Sequence, residues 1–155
     1  MKSYTKKIIG FLILLLVVSC AIESMFSLPN DELIKSELIG EWRTENSKHE
    51  FLRIEKNNEK TYKLIIVDKE KTEELIAFSK AVKGFNIMNI ITEYDGKVAN
   101  LFYGFNIDSN TLTFSEVNDK LRENEFESET ELLNFFKENI NRDDFFINQT
   151  ELVRK

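Results

Sequence analysis

Val98-Ala99-Asn100-Leu101-Phe102-Tyr103-Gly104-Phe105-Asn106-Ile107-Asp108-Ser109-Asn110-Thr111-Leu112-Thr113-Phe114 reads as two strands and the turn between them. Leu101, Tyr103, Phe105 and Ile107 recur at every second position, as do Leu112 and Phe114 after them, with polar residues mostly opposite. A period of two puts each set on one face of a pleated sheet. Asp108-Ser109-Asn110 between them is turn chemistry, because short polar side chains bond their own backbone and tolerate left-handed geometry.

The same period extends in both directions. Strands are predicted at Glu41 to Glu45, Glu50 to Lys56, Thr61 to Val67, Glu73 to Val82, Phe85 to Thr92, Val98 to Ile107, Thr111 to Val117 and Thr150 to Arg154. Asn57-Asn58, Asp68 to Thr72, Lys83-Gly84 and Asp95-Gly96 separate them, and separators this short join antiparallel neighbours. Eight strands are the number that closes a small barrel and leaves no open edge. The expected fold is therefore mostly β with some α: an eight-stranded antiparallel barrel. A curved open sheet or sandwich packed on the C-terminal helix is the alternative.

Two helices are expected. Asn30 or Asp31 can cap a short one running to about Leu38, with Leu33, Ile34 and Leu38 on one face and Gly40 ending it. Ser128 and Glu131 form an S-x-x-E capping box, followed by Leu132, Leu133, Phe136 and Ile140 at helical spacing. Leu75 to Phe78 and the run around Ile87, Met88, Ile90 and Ile91 are apolar on both faces, and this second helix, lying between the last two strands, is expected to cover the outer one.

The N-terminus reads as an export signal. Lys2, Lys6 and Lys7 precede an apolar run from Ile8 to Val18, and small residues follow. Eleven residues of helix reach about 16 Å, short of a hydrocarbon core of about 30 Å. Val17-Val18-Ser19-Cys20 resembles the bacterial lipobox, although Val17 stands where leucine is commonest. The resemblance implies a signal peptide over residues 1–19, diacylglyceryl attachment to the Cys20 thiol, cleavage before it and a membrane anchor of two or three acyl chains. Residues 20–29 then read as a lipidated tether and residues 30–155 as a single domain. Ala21, where an aspartate resembles an inner-membrane retention signal, implies outer-membrane delivery in a host with two membranes, with the domain in the periplasm or at the cell surface.

Without the signal, 18 basic residues face 27 acidic ones, a formal charge of −9. Backbone binding to DNA or RNA needs clustered cations, so no nucleic-acid partner is expected. Cys20 is the sole cysteine, and no internal disulfide can form. Twelve of the 13 phenylalanines lie in the mature chain and supply bulk for a core.

Leu38-Ile39-Gly40-Glu41-Trp42 resembles the G-x-W signature at the start of lipocalin barrels, where a short helix leads into the first strand and the tryptophan plugs the closed end. Arg154 matches the arginine that family members stack over that tryptophan from the last strand. Trp42 and Arg154 are thus the expected barrel-closing pair of a lipocalin-like barrel. A helix between the seventh and eighth strands departs from the usual lipocalin order, in which it follows the last strand. The whole mature chain also resembles small exported lipoproteins with a G-x-W start and a late S-x-x-E-L helix.

Catalytic chemistry finds little to work with. His49 is the only histidine, and the five glycines form no phosphate-cradling loop. The expectation is a non-enzyme with no cofactor and no metal site. Tyr62, Phe78, Tyr103, Phe105 and Phe114 form an aromatic stripe that either fills the barrel or lines a pocket for a small hydrophobic ligand. Two roles follow. One is a membrane-anchored envelope protein with a non-catalytic binding or docking role toward another envelope protein; the alternative is a lipocalin-like carrier.

Overall fold

The computed structural model describes residues 21–155. The predicted signal peptide over residues 1–19 and the predicted lipidation site Cys20 lie outside the described residues. Nine strands form one sheet: β1 (Glu23–Ser24), β2 (Gly40–Arg43), β3 (Glu50–Lys56), β4 (Tyr62–Asp68), β5 (Lys71–Val82), β6 (Phe85–Tyr94), β7 (Lys97–Asp108), β8 (Thr111–Val117) and β9 (Phe146–Arg154). Strands β2 to β9 each pair antiparallel with the next, and β9 returns to β2 through Trp42 opposite Arg154 and Arg43 opposite Val153. The result is the closed eight-stranded antiparallel barrel of lipocalin type, with helix α1 (Glu129–Asn139) between its last two strands.

Alternation sorts the side chains into two cores. Trp42, Leu52, Ile54, Tyr62, Leu64 and Leu112 belong to the cluster that fills the barrel. The second cluster lies outside the wall of β5 to β7, where Phe78, Ile87 and Phe102 meet Leu132, Phe135 and Phe136 of α1. Phe102 and Phe136 pack edge-on with ring centroids 5.4 Å apart. Both faces of these central strands are thus covered, as their two-sided apolar sequence requires. The Ser128 side chain caps α1 by accepting from the Glu131 N–H at 3.1 Å. The Glu131 carboxylate reaches back past the N-cap to the Glu127 N–H at 2.7 Å, one residue beyond the expected box, and binds Arg122 at 2.8 Å.

Two expectations for the N-terminal part are corrected. A helix from Asn30 to Leu38 does not form; only Ser36–Leu38 makes a single 3-10 turn, and Leu33 is exposed. Asp31 and Glu32 instead pair with Lys80 at 2.6 and 3.2 Å, and the Glu32 carboxylate accepts from the Ala81 N–H. These contacts with β5 hold the chain extended. Nor do residues 21–29 stand off as a spacer. Ala21 bridges to Asn118, β1 pairs with Leu101 and Asn100 of β7, and Ile22 and Leu28 are buried in the outer core. Residues 21–34 form a strap across the outside of β7, β6 and β5.

The last strand is also longer than expected, starting at Phe146, because Asn148 adopts a positive φ of 52° and shifts the register opposite Phe114 and Glu116. That bulge interrupts the alternation by which strands are recognised.

Burying an unpaired carboxylate under α1 is expected to destabilise the whole domain. Phe136→Asp should cost at least about 3 kcal/mol, a large share of a typical stability of about 5–15 kcal/mol. Denaturant unfolding should show the loss as a lower midpoint, and an unchanged midpoint would mean that the helix does not share the barrel's cooperativity.

Candidate functional site

One end of the barrel is sealed. Trp42 is fully buried and donates its indole N–H to the Leu38 carbonyl at 2.8 Å. The guanidinium carbon of Arg154 lies 4.2 Å from the Trp42 ring centroid, and its nitrogens donate to the carbonyls of Ile39 at 2.8 Å and Glu37 at 2.5 Å. Arg154 thus ties the 3-10 turn to the last strand while its flat face covers the indole, a geometry suited to cation–π attraction. Gly40 makes this possible: a Cβ there would come within 2.5 Å of Arg154 Nη1, and its φ of 144° is one that other residues rarely adopt.

The barrel interior is nearly full. Its cavity measures about 40 Å³ and is lined mainly by Leu52, Leu64, Ile66, Tyr103, Phe114 and Leu152. That is room for about one small guest, far below the roughly 300 Å³ at which small-molecule sites begin. Of the expected aromatic stripe, Tyr62, Tyr103, Phe105 and Phe114 belong to the interior cluster, and Tyr103 and Phe114 touch the cavity. Phe78 does not join them. Its neighbours Ala77 and Ser79 are buried on the inner face, so alternation turns Phe78 outward under α1. Tyr62 spends its hydroxyl on structure, accepting from the Lys35 N–H at 2.7 Å and bonding Ser79 at 3.1 Å.

The opposite end carries carboxyls that the alternation did not single out. Glu50 and Asp68 are direct neighbours across β3 and β4, and Glu50 is 4% exposed at the end of the cavity. Glu50 Oε1 and Asp68 Oδ1 find no donor elsewhere among the described residues. Burial, and then the facing Asp68, push the Glu50 carboxyl above its ordinary range, against a smaller downward pull from Lys69 and His49. A proton on Glu50 lets it donate to Asp68, which serves both groups. Glu116, also buried, accepts from the Asn148 amide at 2.9 Å.

The strap brings a third region together. Asn89 and Asn100 are both buried on the outer face, and Asn89 Nδ2 donates a hydrogen bond to Asn100 Oδ1 at 2.9 Å. Asn89 Oδ1 accepts from the Leu28 N–H at 3.0 Å, and Asn100 Nδ2 donates to the Ser24 carbonyl at 3.2 Å. Two asparagines inside otherwise apolar strands were the available sign that main chain from elsewhere would dock there, since a buried amide demands partners. Beside this clamp, Met25, Tyr94 and Val98 are 73, 79 and 55% exposed. On the outer wall a solvent-open groove of about 450 Å³ runs past Phe85 and Phe146, with the Phe146 ring seated on Gly104 where no side chain would fit.

Among the described residues no group of three or more acidic, histidine or cysteine side chains is arranged to hold a metal ion, and no helix is long and apolar enough to cross a membrane. No family model, curated protein or solved structure matches the chain.

Two outcomes follow from this geometry. Arg154→Ala should destabilise the barrel by about 1–3 kcal/mol, the scale of a lost charged hydrogen-bonding group. In a double-mutant cycle with Trp42→Phe the coupling should exceed about 0.5 kcal/mol; strict additivity would show that the stacked geometry contributes nothing.

For Glu50 the sign is set by its raised folded-state value. The unfolded chain ionises this group first, so its contribution is fully present below the ordinary glutamate range and is lost as pH rises through the higher folded-state value. Wild type should therefore lose stability relative to Glu50→Gln as pH rises from about 4.5 toward neutrality. Parallel pH–stability curves for the two proteins would contradict this.

Proposed function

We propose that the chain is a membrane-anchored lipoprotein of a bacterial envelope, held by acyl chains on Cys20, whose barrel serves a non-catalytic docking role toward another envelope component. The observation that carries this reading is the Val17-Val18-Ser19-Cys20 motif, which closes the basic and then apolar run of the N-terminus. In a host with two membranes, Ala21 favours the outer membrane, with the barrel in the periplasm or at the cell surface.

The carrier alternative has less support. A lipophilic ligand would have to displace the packed aromatic interior, since the cavity offers only about 40 Å³. A protein that acts through its outer surface needs no such space, and a formal charge of −9 on the mature chain suits a partner with a basic or neutral face.

Cys20→Ser should leave the chain as unprocessed precursor or soluble protein. Membrane fractionation and incorporation of labelled fatty acid are the readouts, and normal labelling of the variant would refute the anchor. Titrating the purified protein with a lipophilic fluorescent probe tests the alternative, which requires a saturable change in Trp42 emission.

A further inference from the structure

Glu50 belongs by parity to the inner face of β3, with Leu52 and Ile54, and all three are buried. Asp68 stands opposite Glu50 on β4, in line with Ile66 and Leu64. The two carboxyls thus form the last rung of an inward row whose next two rungs, Leu52 with Ile66 and Ile54 with Leu64, are wholly apolar. Glu50 Oε1 and Asp68 Oδ1 accept from no donor among the described residues. The charged and titratable groups that bear on Glu50 are Asp68 beside it, exposed Lys69 and His49 in the adjoining turns, and Glu116, which lines the same cavity from β8. Neither Lys69 nor His49 bonds either oxygen.

A proton shared between the two carboxyls satisfies them, but a proton needs no room. The cavity of about 40 Å³ starts at Glu50 and continues inward to Leu52, Leu64, Ile66, Phe114 and Leu152. At roughly 10–15 Å³ for each water-sized group, it has space for about three heavy atoms. Acceptors without donors at one end and hydrocarbon walls below them describe a guest whose cationic head donates hydrogen bonds and whose tail is short and apolar.

We propose that this end of the barrel binds a free short-chain primary alkylammonium, its head between Glu50 and Asp68 and its tail in the cavity below. Two of its three N–H groups meet Glu50 Oε1 and Asp68 Oδ1, and the third is left for water beside the partly exposed Asp68. A buried carboxylate without a partner is costly, and a cation that donates to both oxygens offsets that cost. The shared proton leaves to solvent as the ammonium enters. Calcium fits poorly, because it takes about six to eight oxygen ligands and no third acidic, histidine or cysteine side chain among the described residues is arranged with this pair. A lysine of a protein partner would reach the carboxyls from outside with its stem in water, leaving the apolar space below unused. Neither the lipid anchor nor the docking role is required for this site.

The test uses the full chain at pH 8 in a neutral detergent, with thermal unfolding followed during titration with ethylammonium chloride. At about ten times its Kd, ethylammonium should raise the melting temperature by about 5 °C, and the shift should saturate. Ethanol, a neutral molecule of the same heavy-atom count, and sodium chloride at equal ionic strength should leave it nearly unchanged. Glu50→Gln and Asp68→Asn should each weaken ethylammonium binding at least about tenfold, with the shift read against each variant's own melting temperature. A shift matched by sodium chloride or by ethanol, or one undiminished in both variants, would overturn the site. Calcium chloride that saturates at lower concentration than ethylammonium would replace the ammonium with a metal ion and overturn the assignment. Nα-acetyl-lysine amide should bind more weakly than ethylammonium; tighter binding would give the pair to a partner's lysine and overturn the free amine.

Discussion

Strands β5, β6 and β7 are apolar on both faces, and most of the remaining structure answers that constraint. A barrel wall normally meets water on its outer side. Here Phe78, Ile87 and Phe102 point outward from the wall, and leaving them exposed would forfeit roughly 1.5–3 kcal/mol for each large side chain. Helix α1 covers part of that surface through Leu132, Phe135 and Phe136, and the strap covers more through Ile22 and Leu28. The long connection between β8 and β9 and the packing of the N-terminal segment are two answers to one requirement. Asn89 and Asn100 then fix the strap at a single position, because each amide is satisfied only when that main chain is in place.

The two ends of the barrel differ in kind. At the closed end the large side chains pair their polar atoms: Arg154 with carbonyls and an indole face, Trp42 with Leu38, Tyr62 with Lys35 and Ser79. At the other end Glu50 and Asp68 face one another, and Glu50 Oε1 and Asp68 Oδ1 accept from no donor among the described residues. Rigidity is concentrated at the first end and electrostatic tension at the second. Loops 44–49, 69–70 and 95–96 all belong to this second end.

Much of the barrel was legible because alternation is a local signal. Tyr62, Leu64 and Ile66, or Leu101, Tyr103 and Phe105, declare a face without knowledge of any partner. The shared parity of Thr150, Leu152 and Arg154 likewise put the arginine on the side of Trp42. What escaped depended on partners distant in the chain. Phe78 sits in a run apolar on both faces, where alternation gives no direction. Asp31 and Glu32 read as helix-start residues until Lys80, some 50 positions away, is known to claim them. The strap read as a spacer because Ser27-Leu28-Pro29 lacks periodicity, although Ile22 and Leu28 were apolar enough to hint at burial. The Glu50 and Asp68 pair is invisible until register is known. The lining of the cavity was partly legible, in Tyr103 and Phe114, but its size depends on how side chains from eight strands interdigitate.

The closing contact joins residue 42 to residue 154, segments far apart in the chain. Bringing such distant segments together carries a large loop-closure entropy, and folds dominated by contacts of this span form slowly. A chain that emerges N-terminus first can assemble the hairpins from β3 to β8 while Trp42 still lacks its arginine. Until β9 is free the barrel remains an open sheet with two unpaired edges, those of β2 and β8. The pairing of β9 with both β2 and β8 therefore sets the order of assembly: the two edges stop being adhesive only once β9 has been delivered.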